Sequence, residues 1–266
     1  MCLLAMAAVA LTGSVAQADY TFGGIAGGQG WTWDGLGMTA YRDAMQNPAN
    51  FGPGGVVGAP VSTTTISSLS PSNLATINCF VSPANSNAQY SAGDVQNIKS
   101  FFLSGGDLLL LCDDQNYDAI AAALNVPSTG AGLGVISAST TGVNPLSSGP
   151  FGSVSVFNQA YLVGWLNAGD VAAKNGHVAA VNANGVAATY WDRGEYAPGA
   201  GKLVIITDVD TLAGSNNGYP GMAQFGVNNA NAVLALNTTA FFVVPTPGAL
   251  AFVMVPAAVA VRRRRR

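Results

Sequence analysis

Hydrophobic and polar positions follow two rhythms along the chain. Unbroken apolar runs at 76–81 (TINCFV), 107–112 (DLLLLC) and 202–207 (KLVIIT) read as strands buried on both faces, because a half-exposed strand would alternate. Between the first two the spacing turns helical. Val95, Ile98, Phe101 and Phe102 fall on one face, Ser91-Ala-Gly-Asp94 has capping-box spacing with Asp at the third position, and Gly105-Gly106 stops the helix. Further helices are predicted at 39–45, stopped before Pro48; at 117–124 (YDAIAAAL), halted near Pro127; and at 228–242 (NNANAVLALNTTAFF). Stretches 56–66, 135–139 and 153–157 read as extended. Segments 177–181 and 186–190 flank Asn182-Ala-Asn-Gly185 as a hairpin. Glycine-, serine- and proline-rich stretches at 23–37, 128–134 and 147–152 read as loops. Strands alternating with helices predict an α/β domain whose parallel or mostly parallel sheet is flanked by helices.

The two ends follow neither rhythm. Residues 1–18 (MCLLAMAAVALTGSVAQA) hold an apolar core at 3–11 and small residues at Ala16 and Ala18, an A-x-A cleavage pattern, although no Lys or Arg precedes the core. They are expected to be a signal peptide. At the other end, 248–261 is an uncharged run interrupted by Pro256. As a helix it spans about 21 Å, against a hydrocarbon core of about 30 Å. Extension back through 240–244 gives a workable length. Arg262, Arg263, Arg264, Arg265 and Arg266 follow, as in a stop-transfer element. The expected organisation is a signal peptide (1–18), an α/β domain (19–243) with a loop-rich start (19–37), and a tail (244–266).

Charge narrows the partners. Only 9% of the 266 residues are charged, and between Asp19 and Val261 five basic residues stand against all thirteen acidic ones, a net −8. A body this acidic repels a phosphate backbone, which excludes nucleic acid as a partner.

Two resemblances follow from these residues. Pro245-Thr246-Pro247, the apolar run and the arginine cluster together resemble the PEP-CTERM sorting signal of Gram-negative-type bacteria, with Thr246 where Glu is usual. That resemblance implies an exosortase-type membrane protease as partner, a precursor held in the membrane by its C-terminal helix, and delivery to the cell surface or extracellular matrix. Over 36–243, the segments FFLSGGDLLLLCDD, GKLVIITDVDTL and NNANAVLALN resemble the class I glutamine-amidotransferase-like (flavodoxin-like) fold in its non-catalytic branch. Asp208, Asp210, Asn231 and Asn237 match its late Asp-x-Asp strand end and asparagine-bearing helix.

The catalytic Cys-His-Glu set of that family is not matched. Cys112 is followed by Asp113 and Asp114, carboxylates that raise a thiol pKa, and His177, the single histidine, lacks the His-x-Glu partner. No catalytic residue and no cofactor are expected. Cys79 and Cys112 read as buried free thiols rather than a bridge. Two acidic groups remain, Asp113, Asp114 and Asp118 after DLLLLC, and Asp208 and Asp210 after KLVIIT. Both lie at the carboxyl ends of strands, where α/β sheets bind ligands. Asp113, Asp208 and Asp210 are thus candidates for a ligand or metal such as Ca²⁺, or for the paired carboxylates of a glycosidase. Turn formation and helix capping weigh above a metal. Trp31, Trp33, Trp165 and Trp191 are candidate sugar-stacking faces. The expected function is an exported binding or structural component linked to extracellular polysaccharide. The alternative is an extracellular hydrolase using strand-end carboxylates or a metal.

Overall fold

The computed structural model describes residues 19–27, 31–84, 90–213 and 229–245. At its centre β4 (Asp107–Leu111) lies parallel to β11 (Leu203–Ile206), with Leu108 opposite Leu203 and Leu111 opposite Ile206. Leu109, Leu111, Val204 and Ile206 enter one apolar core; Leu108, Leu110, Leu203 and Ile205 enter another on the opposite face. A core on each side is what makes both runs continuously apolar. β3 (Cys79–Ser82), β1 (Tyr20–Ile25) and β2 (Val61–Ile66) extend this arm, all parallel. On one face pack α1 (Thr39–Gln46) and α6 (Ala230–Val243). On the other pack α2 (Pro71–Leu74), α3 (Ala92–Leu103) and α4 (Ala119–Ala123). The reciprocal capping box forms at the start of α3: Ser91 Oγ accepts from the N–H of Asp94, and Asp94 accepts from the N–H of Ser91.

Beyond β11 the sheet changes character. β10 (Val186–Trp191), β8 (Val156–Leu166), β5 (Ser128–Thr140) and β9 (His177–Val181) follow in that order, all antiparallel, and β9 pairs back onto β10. Four strands therefore close into a small barrel, with α5 (Ala168–Ala173) joining β8 to β9. Ala138, Ala160, Ala179, Ala180, Ala187 and Ala188 are all buried. Such small side chains suit a four-stranded ring, because the interior shrinks with strand number. A two-strand hairpin, β6 (Ser148–Gly149) with β7 (Gly152–Ser153), precedes β8.

This closed barrel overturns the expectation of an open, mostly parallel sheet and, with it, the flavodoxin-like and amidotransferase-like resemblance. The cause is non-local. β5 is glycine-rich and reads as a loop over 128–134, yet it pairs with β8 along most of its length. Gly130 has φ +78, and the Trp165 indole lies 1.7 Å from where its Cβ would be, so glycine admits the ring rather than marking a loop. β1 likewise falls within the stretch read as loop-rich.

The membrane anchor is corrected too. Among the described residues no helix is long and apolar enough to cross a membrane; α6, with 14 residues, reaches only about 21 Å. The anchored precursor, its membrane and exosortase partners and the surface destination resting on it are set aside. Ala16 and Ala18 at one end, and Thr246, Pro247 and Arg262 to Arg266 at the other, lie outside the described residues.

Cys79 and Cys112 are free and buried. They belong to cores on opposite faces of the sheet, which keeps their sulfurs apart. At the far end of the arm, β2 is the one open edge of the nine-stranded sheet among the described residues. There the Trp33 indole N–H donates to the Thr64 carbonyl at 2.8 Å.

Candidate functional site

The acidic residues meet at the seam between arm and barrel. Because Leu111 is level with Ile206, the residues two steps further on, Asp113 and Asp208, leave the sheet side by side. The chain then enters a 3₁₀ turn, Val209–Thr211, which Asp208 caps. Asp208 Oδ1 accepts from the N–H of Asp210 at 2.9 Å, and Oδ2 accepts from the Thr211 hydroxyl at 3.0 Å. Oδ2 also accepts from the N–H of Ala160 in β8 at 2.8 Å, so one carboxylate ties arm to barrel. Asp113 Oδ1 accepts from the N–H of Val209 at 2.9 Å. Asp210 itself is only 6% exposed.

Three buried carboxyls whose charges raise one another do not all ionise. Burial pushes Asp113 up to about 8, with the charges of Asp210 and Asp114 adding to it and the Val209 N–H opposing. Burial, then Asp113 and Asp210, hold Asp208 well above the usual carboxylate range. Burial raises Asp210 to about 6. The three titrate as a cluster. Three donors point at Asp208 and oppose its rise.

The other sequence candidates serve the scaffold. Asp114 closes its own turn, accepting from the N–H of Asn116 at 2.8 Å, and Asp118 accepts from the N–H of Ser128 at 2.7 Å. Asn231 brackets Asn158 of β8, accepting from its N–H at 3.0 Å and donating to its carbonyl at 2.7 Å. Asn237 accepts from the N–H of Phe151 and donates to the carbonyl of Gly152, both at 3.0 Å. Trp33 and Trp191 are wholly buried and offer no face to a sugar. Burial, then Asp118 and Asp113, raise the Cys112 thiol, which leaves it inert. Among the described residues no group of three His, Cys, Asp or Glu side chains is arranged to hold a metal ion. One backbone outlier adjoins the cluster: Tyr161, directly after Ala160 and 52% exposed, has φ +69. A bulky residue held there costs of order 1–3 kcal/mol, a strain found preferentially at functional sites.

With this geometry in hand, comparison with known proteins speaks to the fold alone. No protein-family model matches the chain, and no curated sequence does. Solved structures do. The N-terminal domain of mmIFT52 is 10% identical with a TM-score of 0.57, over 85% of this chain and 98% of that one. A ThuA-like protein from Bacteroides uniformis is 8% identical with a TM-score of 0.51, over 88% and 95%. The exo-β-1,4-mannosidase Op5Man5 from an Opitutaceae bacterium is 9% identical with a TM-score of 0.50, over 86% of this chain but 37% of that one.

Sequence reasoning missed a second constellation. His177 has a carboxylate partner after all, Glu195, its Nε2 lying 3.0 and 3.1 Å from the two carboxylate oxygens. The hairpin sets His177 opposite Tyr190, and the chain turns at Asp192 to bring Glu195 alongside. The 182–185 turn signal, extended by one strand length, would have located the pair. It lines a groove of about 550 Å³ between the β6–β7 hairpin, β10 and the end of α6, where Pro145, Pro150, Phe241 and Pro245 supply apolar walls.

Proposed function

We propose that this chain is a hydrolase whose acid–base pair is Asp113 and Asp210, acting on a bond whose leaving oxygen needs a proton, as in a glycoside. The observation that carries the reading is the placement of Asp113 and Asp210 at one strand-end turn, where burial keeps the first carboxyl protonated and raises the second less. Glycosidic cleavage requires such a pair, one group giving a proton and the other acting as base or nucleophile. Environments that hold two carboxyls at different pKa values divide those roles. Asp113, raised to about 8, retains the proton for the leaving oxygen. Asp210, raised to about 6, is ionised at neutral pH and accepts the proton of an attacking water. Asp208 holds the main-chain N–H of Asp210 and keeps the turn in place.

The test is hydrolysis of a panel of aryl glycosides and polysaccharides by the full chain. Asp113→Asn and Asp210→Asn are each expected to lower kcat by about a hundredfold or more, while both variants stay folded. The wild-type rate should follow a bell, rising through about 6 as Asp210 ionises and falling through about 8 as Asp113 loses its proton. Full activity in either variant overturns the reading. Glycan binding without turnover by the wild type also overturns it, and returns the protein to a non-catalytic binding role.

A further inference from the structure

The groove beside α6 is separate from the carboxylate cluster and has its own chemistry. Its volume, about 550 Å³, falls in the range of small-molecule sites, which are typically about 300–1,000 Å³, apolar in their walls and furnished with a few convergent polar groups. The charges decide what it accepts. Lys202 is buried, and its ammonium is committed to the main-chain carbonyls of Phe241 (2.5 Å) and Val244 (2.8 Å), the open C-terminal carbonyls of α6. Glu195 lines the groove, and among the described residues His177 and not Lys202 is the basic side chain paired with it. Its neighbours are the His177 imidazole and the N–H of Asp192, 2.6 Å from Oε2. The Glu195 side chain is 37% exposed. Tyr190 stacks on His177, centroids 4.9 Å apart and planes 23° apart, which fixes the imidazole. The Lys202 ammonium lies 4.8 Å from the ring centre of Phe241 and takes that face of the ring, which leaves Phe241 to offer apolar contact only.

We infer that this groove binds a small organic cation, a protonated amine on an apolar body, with the amine at Glu195 and the body along Phe241 and Pro150. The acidic body of the chain favours the same sign of ligand at long range.

The experiment uses 3-phenylpropylamine, 3-phenylpropanol and 3-phenylpropionate, which share a body and differ in head-group charge. His177 is the only histidine, so its imidazole proton resonances report the groove alone in NMR titrations of the full chain. The amine is expected to shift them saturably and to bind about tenfold or more tightly than the alcohol, as a charge-assisted hydrogen bond requires. The acid is expected to bind weakest. Glu195→Gln keeps an acceptor for the Asp192 N–H; it should reduce the amine's advantage over the alcohol to less than about twofold. Equal affinities for amine and acid, an undiminished advantage in the variant, or no saturable shift with any of the three overturns the inference.

Discussion

The arm and the barrel of this molecule are built on opposite principles. In the arm, five parallel strands lie between two apolar cores, and the side chains of β3, β4 and β11 are buried throughout. The barrel is antiparallel, rich in glycine and alanine, and leaves Val135, Val156 and Tyr161 about half exposed. Dispersion and burial hold the arm, while polar clips attach the barrel to it. Asp208 holds Ala160, Asn231 holds Asn158, and Gln159 Nε2 donates to Thr207 Oγ1 at 3.1 Å while its Oε1 accepts from Asn182 at 2.8 Å. The contrast explains where the chemistry lies. Apolar packing admits an ionisable group only where it is paired, as Asp107 is with Arg193 at the start of β4, and a barrel joined by hydrogen bonds gathers carboxyls at the join.

Three substitutions break or sharpen this contrast. The largest effect is expected in the arm. Leu110→Ala should remove about 4 kcal/mol of global stability by opening a cavity, seen as a lower midpoint in denaturant and loss of amide protection in both halves. Next, Asp208→Ala leaves the N–H groups of Ala160 and Asp210 without partners and should cost about 3 kcal/mol. Hydrogen exchange should show the loss first in β8 while β4 and β11 stay protected; uniform loss would mean that arm and barrel unfold as one unit. The third effect depends on pH and vanishes in acid. The folded pKa of Asp210 lies above its unfolded value, so its contribution to stability is complete below about 3.8 and is lost as pH rises through about 6. Asp210→Asn should therefore match the wild type at pH 4 and exceed it by up to about 3 kcal/mol at pH 8. Parallel curves for the two proteins would show that Asp210 is not buried as a charge.

What could be read in advance follows the same division. The arm's central strands, the capped helix after Ser91 and the 177–190 hairpin are written locally, in apolar runs, cap spacing and a turn. Local signals of that kind survive in any tertiary setting. Closure of the barrel is written nowhere locally. It depends on β5 meeting β9 across some forty residues, and on glycines that make room for Trp165. At the site, the strand-end aspartates were visible because strand ends are visible. The reach of Asp208 to Ala160 was hidden, since it joins elements that only the fold brings together.

That β2 is the one open edge of the large sheet among the described residues has a consequence for self-association. Strand-to-strand growth needs two free sides on every copy, one to receive and one to offer. Barrel closure removes one side and leaves β2 as the other. Two molecules joined through β2 would use up both remaining edges, so such pairing ends at a dimer and cannot lengthen into a fibre.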